Sequence, residues 1–597
     1  MTASLPVATQ QDGTYPRPQL MRGAWHPLDG QWDFAFRDDP REAPAGVDFD
    51  DTIVVPFPPE SPASGIGDTG YHLVAWYRRR VTAEDIADAG AAGTGARVMI
   101  RFGAVDWAAD VWVNGTHLGS HTGGQTPFSI DATDVLDRDG DNELVVRAVD
   151  DPHDVAVLRG KQDWLEEPHA IWYHRTTGIW QPVWLEVVPE THVESLAWSS
   201  DVPNGSVTLE LTLDARPADE LDATVELRIA GELLARTNVR LLDRTTEITL
   251  HLARQRNGQQ YEHLLWNPET PRLIDATITL GRGASEVDAV SSYLGLRSVQ
   301  ATDRRFLLNG RPLYLRSVLA QNYWPESHLA APDAAALRRE VQLILDLGFN
   351  AARVHQKAED PRFLYWADRL GLMIWGETAS AYEFSERAIA ALTTEWMALV
   401  RRDRSHPSIV AWVPLNESWG VQHIASDARQ QAFSRSISDL TRSLDGSRPV
   451  ISNDGWEHAG SDIWTVHDYE ADPEILAHRY GSTAAITELF DGFGPAGRRI
   501  SVGQQDGGQP VMLTEFGGVS YIDQDVEGAW GYSSASDAQD FARRVGGIVG
   551  AVRAATPLAG FCYTQLTDTG QETNGLVRAD RSPKIPIEDL RRIIAGD

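Results

Sequence analysis

The chain has a single cysteine, Cys562, among 597 residues. No intrachain disulfide and no thiolate metal site can be built from it, which fits a reducing compartment. A cytoplasmic location is therefore the expectation. Long apolar runs are missing too: nothing reaches the roughly 18 residues that a membrane span needs. The polar stretch from Met1 to Arg22 lacks the apolar core of a secretory signal. Positive charge is scarce, with 53 Lys and Arg against 85 Asp and Glu, a net charge of −32. A surface of that sign repels phosphate backbones and anionic headgroups, so neither nucleic acid nor a membrane is expected as a partner.

Tryptophan, by contrast, is abundant, with 20 residues. Many sit beside Gly, Asn, His or Glu rather than in aliphatic runs. Indole faces stack on the C–H faces of sugars, so the composition leans toward a carbohydrate partner.

Residues from about 25 to 190 read as all-β. Short alternating runs such as Arg97–Phe102 and Glu143–Arg147 are bounded by turns, and Asp110–Val113 runs into Asn114-Gly115, a strong hairpin signal. Strands at this spacing suggest a sandwich or jelly roll. Residues 190–297 give about seven more alternating strands, the arithmetic of an immunoglobulin-like sandwich. From residue 298 strands alternate with amphipathic helices. Strands are expected near 313–319, 350–354, 372–376, 409–415, 449–453, 463–467, 511–514 and 560–564. Eight such units in about 290 residues make a (β/α)8 TIM barrel. The expected domains are thus 1–189, 190–297 and 298–597. The Gly-rich stretch 470–509 reads as a loop insertion over the barrel, and the Trp-rich segment Lys161 to Arg175 reads as a candidate wall of the active site.

Barrel enzymes build their sites at the C-terminal ends of the strands. The polar residues there are Arg353 and His355 after the second unit, Trp375 and Glu377 at the third, Asn416, Glu417, Ser418 and Trp419 at the fourth, Asn453 and Asp454 at the fifth, His467, Asp468 and Tyr469 at the sixth, Glu515 at the seventh and Gln565 at the eighth. The fourth and seventh units face each other across the mouth. Glycoside cleavage needs two carboxyl groups so placed, one to protonate the leaving oxygen and one to attack carbon. Glu417 and Glu515 are therefore the catalytic candidates. Asn416, His355, Glu377, Trp375, Tyr469, His467, Asp468, Gln565 and Arg353 are the candidate substrate-binding residues.

The stretch Asp403-Arg404-Ser405-His406-Pro407-Ser408 through Asn416-Glu417 resembles the acid/base signature of glycoside hydrolase family 2, with Ser405 where Asn is usual. Thr514-Glu515-Phe516-Gly517 is similar to that family's nucleophile motif, and Gly348-Phe349-Asn350-Ala351-Ala352-Arg353 to its other signature. Leu28-Asp29-Gly30-Gln31-Trp32, Val113-Asn114-Gly115 and Thr177-Gly178-Ile179-Trp180-Gln181 extend the likeness to its sugar-binding jelly roll. The resemblance implies that Glu417 is the general acid/base and Glu515 the nucleophile of a retaining exo-glycosidase. It implies that Asn416 bonds the sugar 2-hydroxyl and that Tyr469 orients the nucleophile. No cofactor and no metal are expected, and homo-oligomers are common in the family.

Two departures bear on the sugar. His355-Gln356-Lys357 stands where His-Tyr-Pro is frequent, and Tyr563-Thr564-Gln565 where a Trp is. The region Gln571 to Leu576 has Asn574 but no lysine after it, which argues against a glucuronide, although Lys357 and Arg578 could supply a cation. The expectation is a β-galactosidase-like enzyme on plant or microbial glycans or glycosides. The alternatives are a furanosidase (for β-galactofuranose or α-L-arabinofuranose), a β-glucuronidase, and, in a different class, a non-catalytic carbohydrate-binding protein. A metallohydrolase barrel would want a His-x-His at the end of the first strand; Leu313 to Val318 has none.

Overall fold

The computed structural model describes residues 5–91, 95–523 and 526–596. Its first part is two antiparallel sheets packed face to face. The four-stranded sheet runs Trp25–Pro27, Val183–Val188, Arg97–Phe102, Phe128–Asp131. The six-stranded one runs Asp51–Val55, Gly30–Arg37, Val74–Val81, Asn142–Val149, Ala108–Val113, Thr116–Thr122. Alternation decides which side chains go inside: Val98, Ile100 and Phe102 from one sheet meet Val111, Val113 and Val146 from the other. The Asn114-Gly115 turn takes positive φ at both residues (50° and 75°), as a tight hairpin following right-twisted strands requires.

A second sandwich follows, with three strands (Val193–Asp201, Ser206–Leu213, Thr245–His251) against four (Glu232–Leu241, Leu221–Ile229, Ile274–Arg282, Ser285–Leu294). Its strands alternate buried and half-exposed residues along almost their whole length.

In the barrel, seven parallel strands are hydrogen-bonded in the order Ile409–Val413, Met373–Glu377, Ala351–Val354, Leu315–Ala320, Leu558–Thr564, Val511–Gly517, Trp464–Asp468. The fifth position is a correction to the sequence reading. Residues 449–454 touch the sheet only through bridges, Trp412 with Val450 and Asn416 with Asp454. The reason is local: side chains take the amides that a neighbouring strand would use. The Val450 amide donates to Asp462 (2.8 Å) and the Ser452 amide to Ser461 Oγ (2.8 Å). A second correction concerns 470–509, which carries two short helices, Pro473–Tyr480 and Thr483–Asp491. Asp472 and Ser482 cap them and Pro473 opens the first, signals that the glycines of this stretch obscure.

The Asp403–Pro407 signature is a joint between the second sandwich and the barrel. Ser405 Oγ accepts from the Trp198 amide (2.9 Å), and Arg297 donates to the carbonyls of Pro407 (2.9 Å) and Ile409 (2.8 Å). Asp368 gathers Tyr293, His406 and the Ser408 amide around one buried carboxylate. Among the described residues no helix is long and apolar enough to cross a membrane.

Candidate active site

Arg353 closes the floor of the barrel mouth. It is the penultimate residue of the strand Ala351–Val354 and has no exposed surface, and its Nε donates to Glu377 (2.7 Å). Its Nη1 lies 2.8 Å from Glu515 and 2.5 Å from Asp454, and its Nη2 donates to Asn416 Oδ1 (2.6 Å). One guanidinium thus ties together the ends of five barrel segments. His355 Nδ1 sits 3.1 Å from Glu377.

Glu417 follows its strand through a tight turn. Both it and Ser418 take left-handed backbone (φ 49° and 60°), a conformation costing non-glycine residues about 1–2 kcal/mol each. The turn is pinned by the Glu417 amide to the Asp454 carbonyl (3.0 Å) and the Ser418 amide to Asn453 (2.9 Å). The result brings one Glu417 oxygen, one Glu515 oxygen and a His467 nitrogen within 4.8 Å of one another.

The two glutamates have different surroundings. Burial alone would raise the Glu515 carboxyl, but the charges of His467 and Arg353 outweigh it and hold it at about 2. Tyr469 adds a hydrogen bond to Glu515 Oε2 (2.5 Å) and is itself stacked on Tyr532 with ring centres 3.4 Å apart. Glu417 is the more open of the two, with 21% of its side chain exposed against 7% for Glu515. That gives Glu417 the easier proton exchange with solvent. His467 spans both: Nδ1 is 2.7 Å from Glu417 and 3.6 Å from Glu515, and Nε2 is 3.0 Å from Asp454. Burial would discharge the ring; Glu515 and Asp454 instead lift its pKa to about 10. Glu417, His467 and Glu515 have donor atoms close enough to hold a metal ion. The raised pKa of His467 favours its protonated ring, a donor of hydrogen bonds to the carboxylates around it.

Three other candidates from the sequence are buried and held by the protein around the mouth. Trp375 is buried in the barrel core, 1% exposed. Asp468 is held by Tyr480 (2.8 Å) and Arg479, and so anchors the helix Pro473–Tyr480. Gln565 is fully buried with both amide ends in use. Its Oε1 accepts from Gln321 (2.9 Å) and its Nε2 donates to Asn574 (2.8 Å), which continues to Glu572 (3.1 Å) and Lys161 (3.1 Å). Lys161 belongs to the loop thrown over from the N-terminal sandwich. Gln571 donates to Ala170 and Trp172 carbonyls, and Trp530 Nε1 to Ala170, fixing that loop on the barrel. Trp164 and Trp172 from the loop, with Tyr382 and Trp419 from the barrel, line a cavity of about 360 Å³ that includes Glu417 and Arg498. Asp454, read from the sequence as the end of the fifth unit, and Trp419, read as following the fourth, were given no role there, and Tyr382 and Tyr532 were not singled out.

A family model described as "Glycosyl hydrolases family 2, TIM barrel domain" matches residues 299–517, and one described as "Glycosyl hydrolases family 2" matches 191–297. The chain belongs to glycoside hydrolase family 2. It is similar to a β-galactosidase of Thermoanaerobacter pseudethanolicus, 26% identical over 64% of this chain and 48% of that protein. It is also similar to the β-glucuronidase of Canis lupus familiaris, 25% identical over 64% and 60%. The chain spans about half the length of the curated relatives it matches. In structure it is similar to a family 2 β-galacturonidase from Eisenbergiella tayi (TM-score 0.74, 19% identity, 97% of each chain). A β-D-glucuronidase of Dictyoglomus thermophilum matches with TM-score 0.74 at 17% identity over 98% and 99%. Those two structures share the fold.

Proposed function

We propose that the protein is a retaining exo-glycosidase with Glu515 as nucleophile and Glu417 as acid/base. The observation that carries this is the pair of carboxylates itself: oxygens within 4.8 Å of each other, one of them clamped as an anion by Arg353 and Tyr469. Retaining enzymes hold their carboxyl groups roughly 5–5.5 Å apart, inverting ones further, to admit a water. Glu515 attacks the anomeric carbon as Glu417 protonates the departing oxygen, leaving a glycosyl ester on Glu515. Glu417 then takes a proton from water, the water oxygen bonds the anomeric carbon, and the ester carboxylate is released. Tyr469 orients the nucleophile, and Asn416, its carbonyl oxygen fixed by Arg353, presents its amide to the sugar. The residues of 1–189, 190–297 and 298–597 act as one enzyme, because the first of these units supplies part of the site's wall.

A neutral, β-galactoside-like sugar fits the charge inventory better than a uronide. The cations considered for a sugar carboxylate are already taken. Lys357 is held by Glu359 (3.4 Å) and two carbonyls, and Arg578 by Asp523 (3.1 Å). Nearby Lys584 is paired with Asp568 (2.7 Å). The amide row from Gln321 through Gln565 to Asn574 replaces the usual aromatic, and keeps a furanoside as the second reading.

Nitrophenyl glycosides test this: β-galactopyranoside, β-glucuronide, β-mannoside, α-arabinofuranoside and β-galactofuranoside, against wild type, Glu515→Gln and Glu417→Gln. The expected outcome is one preferred neutral sugar, with kcat lowered by about 10⁴-fold or more in Glu515→Gln and by about 10²–10⁴-fold in Glu417→Gln. Activity surviving in Glu515→Gln removes the nucleophile assignment; a preference for the glucuronide removes the charge argument.

A further inference from the structure

The walls of the cavity beside Glu417 bear on what kind of group leaves through it. Four rings from three stretches of chain form one side. Trp164 and Trp172 come from the upstream loop, Tyr382 follows the strand Met373–Glu377, and Trp419 follows the strand Ile409–Val413. Trp164 lies edge-on to Trp172 (4.7 Å between ring centres) and to Tyr382 (5.3 Å). Tyr382 is edge-on to Trp419 (5.8 Å), and Trp419 is 6.0 Å from Trp172, so the four close into one circuit. Edge-to-face neighbours fix one another's tilt. All four rings remain partly exposed, and Val155, on the same lining, is 36% exposed.

This wall is set before any ligand arrives. Tyr382 is clasped at both ends by the first sandwich. Its amide donates to the Val155 carbonyl (3.0 Å), and its hydroxyl reaches the carbonyls of Gly160 (2.8 Å) and Gln162 (2.7 Å). Apart from Glu417 and the rings, three polar side chains lie on the lining, and each already has a protein partner. Ser418 Oγ donates to Glu457 (2.6 Å) and accepts from Asn453 (3.0 Å). Gln422 donates to the Tyr382 carbonyl. Arg498 is paired twice with Glu457 (2.9 and 2.8 Å), which neutralises it and leaves the lining no spare cation for an anionic ring. A sugar in the leaving position brings several hydroxyls, each costly to desolvate without a partner. A flat apolar ring asks for none, and gains by covering indole and phenol faces.

We propose that this cavity is a leaving-group subsite for an uncharged aryl aglycone, which makes aryl glycosides rather than oligosaccharides the substrate class. The proposal rests on the glycosidase reading above. Glu417 gives its proton to the aryl oxygen as the glycosidic C–O bond breaks and Glu515 bonds the anomeric carbon, and the group that departs past the aromatic wall is a phenol.

Calorimetry with 2-naphthol, and with glucose as the glycosyl leaving group, reads the cavity without turnover and without the unequal reactivity of the two leaving groups. The naphthol is expected to bind one to one, and glucose not to bind at the same concentrations. Trp164→Ala weakens naphthol binding about tenfold, while Trp164→Phe, which keeps an aromatic wall, retains most of it. On the sugar that the nitrophenyl panel prefers, Trp164→Ala lowers kcat/KM about tenfold for the naphthyl glycoside and leaves the methyl glycoside almost unchanged. Equal binding of glucose, no binding of naphthol, or naphthol binding unchanged in Trp164→Ala overturns the aryl assignment and leaves the glycosidase reading standing. An equal loss on both glycosides overturns it too. A wild type that binds naphthol but hydrolyses no glycoside of the panel fails the glycosidase reading instead, and the leaving-group role falls with it.

Discussion

Arg353 and Arg101 are both buried arginines at the edge of a cavity, but they are completed differently. Each nitrogen of Arg353 has a protein acceptor: Glu377, Glu515 with Asp454, and Asn416. Arg101 leaves Nη2 unmade, as its neighbours Arg402 and Arg404 leave one N–H each. The barrel mouth is a finished electrostatic frame, in which charges are fixed before substrate arrives, the arrangement that stabilises developing charge at least reorganisation cost. The junction between the sandwiches and the barrel leaves these N–H groups unpaired.

The largest test of that contrast is to remove one arginine from each frame. Arg353→Gln leaves Glu377, Asp454 and Glu515 buried together without their shared cation, and should cost about 3–5 kcal/mol of stability. Arg404→Gln breaks a half-exposed pair with Glu210 (21% and 38% exposed) and should cost under about 1 kcal/mol. Urea unfolding of both variants measures the difference; equal losses would dissolve the distinction between the two sites.

His467 gives a pH-resolved version. Its pKa rises from about 6.5 in an unfolded chain to about 10 in the fold. A raised pKa contributes stability that is fully present below pH 6.5 and lost as pH rises through 10. Glu515 acts with the opposite sign: held at about 2, it contributes stability present above its unfolded value near 4.3 and lost as pH falls through 2. The urea midpoint of the wild type should therefore decline between pH 7 and 10, and His467→Gln should flatten that limb. An unchanged alkaline limb would mean that the ring is neutral and that its hydrogen bonds run the other way.

What the sequence could show of this site follows from what each residue is asked to do. The meeting of Glu417 and Glu515 at the barrel mouth was legible because the strands themselves announce where they end. Trp375 was misplaced by the same logic. A strand end says that a side chain is near the mouth, but the pleat turns it into the core, and a five-residue strand leaves that direction open. Asp454 was seen at a strand end but given no role, because its partners, Arg353, His467 and Thr514, come from three distant segments. No local pattern marks a residue whose role is to be surrounded. The helices within 470–509 were announced by Asp472-Pro473 and Ser482, and lost only because glycine was weighed above capping.

The smallest expected effect lies on the aromatic side of Glu417. Trp172 stands 4.7 Å from Trp164 and 6.0 Å from Trp419, ring centre to ring centre. Trp172→Ala should raise KM about tenfold for aryl glycosides, the worth of one aromatic face, with kcat/KM for a small alkyl glycoside of the same sugar little changed. An equal loss on both substrates would assign the tryptophan to the sugar rather than to the group that leaves.

The loop from Lys161 to Arg175 has a consequence for how such an enzyme changes over time. In the mechanism proposed above, bond breaking belongs to residues of the barrel, while Trp164 and Trp172, which share a cavity with Glu417, are lent by a different unit far upstream in the chain. A mutation, insertion or exchange in that upstream loop can redirect the enzyme to a new leaving group without disturbing either glutamate. The two kinds of choice are heritable separately, and a lineage can explore one while the other is held still.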